Sequence, residues 1–206
     1  MESYSQHGQD LYVYETFFKN SAAKGCFVEV GAYDGVTLSN TLFFERHLGW
    51  SGLCIEPLPS AFEKLRMSRT AICVNCAVSD TDGVADFVDV DVPKYGKMYS
   101  GLRDEYDPRQ VEFMESYALD AKLLQVPTRQ LADILDENGI GAIDYMSIDT
   151  EGNEWKILRS IDLKARDIRV LSVENNFQDR AIPDYLAGFG YKRVKVFAGF
   201  DDLYAK

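Results

Sequence analysis

The sequence predicts an α/β fold with a mainly parallel sheet and helices on both faces. Three observations carry that prediction. Short apolar runs alternate with segments of helical periodicity along most of the chain. The first apolar run ends in a glycine-spaced turn, "FVEVGAYDGVT" at 27–37. Acidic residues close several runs, and open α/β sheets bind ligands outside the carboxyl ends of their strands. A chain of 206 residues suits one domain, 1–206, with a sizeable core.

The elements follow in order. Cys26–Val30 is a buried strand, and Leu38–Leu48 spaces Leu38, Leu42, Phe43 and Leu48 as a helix face. Gly52–Glu56 is a second strand, and a helix over Ser60–Met67 starts just after Pro59. Ala71–Val78 is a third strand, followed by a turn at 80–83 and an edge strand, Val84–Val88. Residues 89–120, rich in charge with Pro93, Gly96, Gly101 and Pro108, read as an irregular insertion and a candidate lid for the acceptor site. A helix over Thr128–Asn138 ends at Gly139. Ile143–Ile148 is a fourth strand, Glu154–Ile161 a helix, Val170–Val173 a fifth strand and Ile182–Gly188 a helix. Tyr191–Phe197 and Phe200–Tyr204 close the sheet as a pair joined at Ala198–Gly199. Strand–helix alternation implies right-handed crossovers.

Composition excludes several partners. A net charge of -11 opposes nucleic acid, whose affinity rests on Lys and Arg at phosphates, and opposes anionic membrane surfaces. Lys192, Arg193 and Lys195 read as a solvated strand face. No run approaches the ~20 apolar residues of a membrane helix, so no membrane insertion is expected. The start, MESYSQHGQD, is not a secretory signal. Cys26, Cys54, Cys73 and Cys76 all lie in apolar segments, which fits core thiols in a reducing, cytoplasmic setting. Cys73 and Cys76 are three apart on a strand and so face opposite ways, which disfavours a shared metal or disulfide.

The turn at 31–35 carries the chemistry. Gly31 and Gly35 permit positive φ and close approach to a ligand. A dinucleotide site would show G-x-G-x-x-G, whereas this chain has G-A-Y-D-G between two acids, Glu29 and Asp34. Those acids would repel a pyrophosphate and attract a cation. S-adenosylmethionine, a sulfonium and ammonium compound without phosphate, fits. Glu56 closes the second strand, where an acid can accept both hydroxyls of a ribose. The backbone near Cys76 and Ala77 lies where an adenine would be met. The plainer alternatives are a helix-capping Asp34 and a surface Glu56.

Several stretches resemble the FkbM family of methyltransferases: "SQHGQDLYVYETFF", "FVEVGAYDGVTLSNTLFFE", "GLCIEPLPSAFEKL", "VNCAVSD", "VPTRQLADIL" and "IDYMSIDTEGNEWKILRSID". They run in family order over most of the chain, and "SIDTEGNEWKIL" is the most specific. The resemblance does not extend to 89–120. It implies a Rossmann-like class I methyltransferase fold with a seven-stranded sheet. It also implies transfer of methyl from S-adenosylmethionine to a hydroxyl of a sugar, glycan or similar polyhydroxyl compound. Carried over, Glu29, Gly31, Asp34 and Gly35 form the cofactor turn, Glu56 reads the ribose, and Ser39 and Asn40 reach the methionine end. Gln6, Gln9 and Asp10, within an N-terminal segment 1–22, would cover the site.

A sugar hydroxyl is a weak nucleophile and calls for a base or a metal. The only histidines are His7, within the N-terminal stretch, and His47, late in the first helix and away from the strand ends. Carboxylates are better candidates: Asp149 closes the fourth strand, with Glu151 and Glu154 after it, and Glu174 closes the fifth. Asp149 or Glu174 would act as base, its pKa raised by neighbouring like charge. Alternatively Asp149, Glu174 and Asn175 form an oxygen set suited to Mg²⁺, as "EN" resembles the acid–amide pair of metal-dependent catechol-type methyltransferases. Tyr95, Tyr99, Arg103, Tyr106 and Trp155 offer a wall for a sugar, or simply pack the insertion. Two other classes stand beside this one: a nicotinamide-dependent sugar-modifying enzyme, and a non-catalytic domain that keeps the fold.

Overall fold

The computed structural model describes residues 1–206. Its main sheet has seven strands. In chain order they are β1 (Cys26–Val30), β2 (Ser51–Ile55), β3 (Ile72–Val74), β8 (Ile143–Ile148), β9 (Ile168–Glu174), β10 (Lys192–Phe197) and β11 (Asp201–Ala205). In space the order is β10-β11-β9-β8-β1-β2-β3. The pairings β3–β2–β1–β8–β9 are all parallel, whereas β11 runs antiparallel to both β9 and β10. The sheet is therefore mixed, with its parallel part holding the site. The closing hairpin turns at Ala198 and Gly199, both with positive φ (48° and 90°).

Alternation along the strands separates two cores. Val28, Val30, Leu53, Ile55, Met146 and Ile148 face one side, under helices α5 (Leu131–Glu137), α6 (Glu154–Ser160) and α7 (Ala181–Ala187). Phe27, Cys54, Tyr145 and Val170 face the other, under α1 (Gln9–Val13) with its π-helical continuation Tyr14–Phe18, and under α2 (Leu42–Leu48) and α3 (Pro59–Ser68). Cys76 belongs to the first core and Cys73 packs against the second, so the pair is split across the sheet. All four cysteines are free.

Residues 77–129 are more regular than the expected edge strand over Val84–Val88 and irregular insertion over 89–120. They form a second sheet, ordered β4-β7-β5-β6, from β4 (Ala77–Val78), β5 (Gly83–Asp91), β6 (Gly101–Leu102) and β7 (Asp120–Arg129). β5 and β7 pair without interruption from Gly83↔Thr128 to Asp91↔Asp120. Helix α4 (Pro108–Tyr117) packs Met114 on Val90 and Val92 as a small core of its own. Asp107 caps α4 in a reciprocal box with Gln110. Thr128 and Arg129 thus belong to a strand, and α5 starts later than expected. The stretch "ALDAKLLQVPTR" is full of helix formers, and its cross-strand partners override that preference. The expected third strand also breaks in two: β3 stays in the main sheet and β4 crosses to the ribbon. Between them Asn75 is pinned by bonds from its amide to the Glu56 and Pro57 carbonyls (2.7 and 3.1 Å). No helix is long and apolar enough to cross a membrane.

Candidate active site

A cavity opens at the carboxyl ends of β1, β2, β8 and β9, with residues 95–100 of the insertion, Gln6 and Phe200 on its far walls. Gly31 sits at its floor with φ 85°. A Cβ there would lie 1.7 Å from the Asp149 carbonyl oxygen, so β1 and β8 can end this close together only with glycine. Tyr33, also at positive φ (48°), turns the chain so that its N–H donates to Glu56 Oε2 at 2.8 Å. The Leu58 N–H donates to Oε1, also at 2.8 Å. Glu56 is held with its carboxylate on the cavity wall, and burial pushes it up to about 7.

Glu29 also borders the cavity, but its carboxylate is already saturated. It accepts from Ser39 Oγ (3.0 and 2.9 Å), the Asn40 N–H (2.8 Å), Thr41 Oγ1 (2.7 Å) and Arg69 Nη1 (3.1 Å). Arg69 is buried and also reaches Glu45 at 2.7 Å. The charge of Glu29 is therefore neutralised within the protein, and its work is to hold the 38–41 loop. That loop takes the residues expected to open the first helix, with Leu38 at φ 56°. Ser39 is consumed by the same network. Asn40 is not: its Nδ2 donates to Ser147 Oγ at 2.9 Å, and its Oδ1 is buried without a partner.

Four of the residues expected at the cofactor stand elsewhere. Asp34 does not line the cavity; its carboxylate folds back onto the Val36 and Thr37 N–H groups (2.9 and 2.7 Å) and Thr37 Oγ1 (2.8 Å), as a local cap. Gly35 packs against α3, where a Cβ would meet Arg69, Leu65 and Ser68 at 2.7 Å. Cys76 and Ala77 are core residues outside the cavity, because the chain leaves the main sheet at Asn75. Their place on the wall is taken by Pro57, Tyr33 and Phe87. Phe87 lies on the expected edge strand Val84–Val88, but nothing in the sequence places that strand at the cavity.

Asp149, Glu151 and Glu174 come together, with one carboxylate oxygen from each within 4.8 Å of the other two. Burial, then Asp201 and Glu154, pushes Asp149 up to about 8. Burial and the Asp149 charge push Glu151 and Glu174 well above the carboxylate range. Three half-buried carboxyls this close share protons among them at neutral pH. Glu151 sits at φ 60° and accepts from Gln110 Nε2 at 2.9 Å, so the insertion touches the cluster directly. Glu174 Oε2 is buried and unpartnered. Behind it Asp201, pushed up by burial to about 6, accepts from Gln9 Nε2 at 2.6 Å. Glu154 only staples its loop, accepting from Thr150 and Gly152.

The expected Mg²⁺ set does not assemble. Asn175 is committed to Asp202 Oδ2 (3.0 Å) and to the Asp179 backbone (3.1 and 2.7 Å), away from the acids. Of the N-terminal residues, Gln6 lines the cavity, Gln9 braces Asp201, and Asp10 closes its own turn on Ser3 and Ser5 (2.6 and 2.7 Å). His7 rests edge-on against Phe200, and His47 stacks on Phe43; neither borders the cavity. Tyr95 and Tyr99 line it, whereas Tyr106 packs the insertion by donating to the Tyr99 carbonyl at 2.7 Å. Arg103 pairs outside with Asp86 at 2.5 Å.

Comparison with solved structures places this architecture among methyltransferases. The METTL16 MTase domain matches with a TM-score of 0.55 at 12% identity, over 95% of this chain and 64% of that one. The N-terminal domain of human METTL16 matches at 0.51 and 14%, over 95% and 66%. Methyltransferase FkbM from Methylobacillus flagellatus KT matches at 0.52 and 15%, over 95% and 48%. The chain thus spans about half to two thirds of the length of these structures. No curated protein matches it. The family model for the methyltransferase FkbM domain covers residues 29–193, from the acid beneath the first turn to the final hairpin. The chain belongs to the FkbM methyltransferase family.

Proposed function

We propose that the protein moves a methyl group from S-adenosylmethionine to a hydroxyl of a sugar, glycan or similar polyhydroxyl acceptor. The observation that carries this reading is the carboxyl cluster of Asp149, Glu151 and Glu174 at the end of a cavity whose other end holds Glu56. The residues fit the cofactor in two respects. Glu56 presents a carboxylate suited to paired ribose hydroxyls. Asn40 Oδ1 is a buried acceptor with no partner, as an ammonium group would require. A structural neighbour supports the same reading: the N-terminal domain of human METTL16, with a TM-score of 0.50 at 14% identity, was solved in complex with SAH.

The cofactor, when bound, supplies an activated methyl carbon. The chain's own task is to align the acceptor oxygen and take its proton. With the cofactor bound, the oxygen–carbon bond would form as the cofactor's sulfur–carbon bond broke, and the cluster of Asp149, Glu151 and Glu174 would take the hydroxyl proton. Asp149, at the strand end and pushed up to about 8, is the base best matched to neutral pH. Titration calorimetry with SAH (S-adenosylhomocysteine) tests the reading. Micromolar binding that Glu56→Ala abolishes is expected. NAD binding without SAH binding would favour a nicotinamide enzyme instead.

A further inference from the structure

We propose that a second cavity beside the first is an outer acceptor subsite, holding the neighbouring ring of an uncharged or amine-bearing glycan. This rests on the transfer reaction above and states where its acceptor enters. The cavity, about 440 Å³, lies between the start of α4 and the 174–179 loop. That volume is within the range of ordinary ligand sites. It shares Glu174 and Asn176 with the first cavity and touches neither Gly31 nor Glu56. A chain lying in it therefore meets the carboxyl cluster at Glu174 and leaves the nucleoside end of the first cavity clear.

The lining suits a sugar ring. Trp155 and Phe177 border it. Phe177 is 37% exposed, and its ring is held in place by the Arg109 guanidinium, 3.6 Å from its centroid. Aromatic faces beside carboxyl and amide groups match the apolar face and hydroxyl rim of a pyranose. The charge of the wall selects further. Five carboxyl side chains line it (Glu105, Asp107, Glu154, Glu174 and Asp179); its one lining cation, Arg109, is taken by Asp107 at 2.7 Å, and Lys156 beside it is taken by Glu105 at 2.5 Å. A phosphate, sulfate or nucleic-acid strand would find no unpaired cation on this wall, whereas a neutral or ammonium-bearing ring needs none.

The test compares wild type with Phe177→Ala, both loaded with SAH, on an array of neutral, amine-bearing and sulfated oligosaccharides plus a single-stranded RNA. Phe177 is exposed, so the variant keeps the fold, which thermal melting verifies. Wild type should retain neutral or amine-bearing glycans of two or more rings. Phe177→Ala should weaken that retention about tenfold, with SAH affinity by calorimetry unchanged. Retention of sulfated glycans or RNA, retention that survives Phe177→Ala, or no retained glycan would each overturn the subsite. Failure to bind SAH would instead refute the transfer reading of the first cavity.

Discussion

Replacing Glu56 by Gln isolates the energetics of one buried acid at the proposed ribose position. Its carboxyl rises from 4.5 to about 7 in the folded chain because burial disfavours the anion. The folded state therefore holds a proton that the unfolded state releases between those values. Stability must fall as pH rises through that window, and the loss is complete above about 7. At ~1.4 kcal/mol per pH unit the rise corresponds to about 3 kcal/mol. Glu56→Gln cannot ionise, so that slope disappears from the variant. The substitution has its own penalty: two N–H groups, from Tyr33 and Leu58, point at the carboxyl oxygens, and an amide offers only one oxygen. One unsatisfied donor costs roughly 1–3 kcal/mol. The variant should be the weaker protein at pH 5 and equal or exceed wild type at pH 8. Urea denaturation followed by circular dichroism across pH 5–8 reads both stabilities. Taking the difference between the two proteins removes the contribution of the acid cluster. Parallel pH slopes for wild type and variant would refute the reasoning.

Other perturbations follow from the same geometry. Arg69→Met leaves Glu29 and Glu45 without their shared buried cation and should destabilise by about 3–5 kcal/mol, read by the same denaturation. Gly31→Ala forces the ends of β1 and β8 apart and should prevent accumulation of folded protein, as soluble yield and circular dichroism would show. Asp149→Asn should keep SAH affinity within a few-fold while methyl transfer falls by about 10²-fold or more. EDTA should leave the transfer rate of wild type unchanged; a loss restored by Mg²⁺ would place a cation among Asp149, Glu151 and Glu174.

Most of the main sheet is legible in the sequence because its strands are short apolar runs punctuated by glycine, proline and acid. The acid cluster is legible for the same reason: Asp149 and Glu174 end neighbouring strands, and their meeting follows from topology. What escapes is set by long-range pairing. β7 is written in helix-forming residues and becomes a strand only against β5, so Phe87 reaches the wall unannounced. The acids of the first turn are also disposed differently. Arg69 lies 40 positions from Glu29, and no local pattern reveals that it neutralises that acid while Asp34 caps its own loop. The carboxyls left at the cavity without a cation beside them are Glu56 and the Asp149–Glu151–Glu174 cluster, rather than Glu29 and Asp34.

The β5–β7 ribbon begins and ends at one point, since Gly83 lies opposite Thr128. The chain between these positions enters and leaves through a single doorway, with Val90, Val92 and Met114 as a small core of its own and with Gln110 and Glu105 tied back to Glu151 and Lys156. A chain can gain or lose length beyond that doorway without moving any strand of the seven-stranded sheet. The scaffold that holds the carboxyl cluster and the piece that frames its visitors can thus change at separate rates.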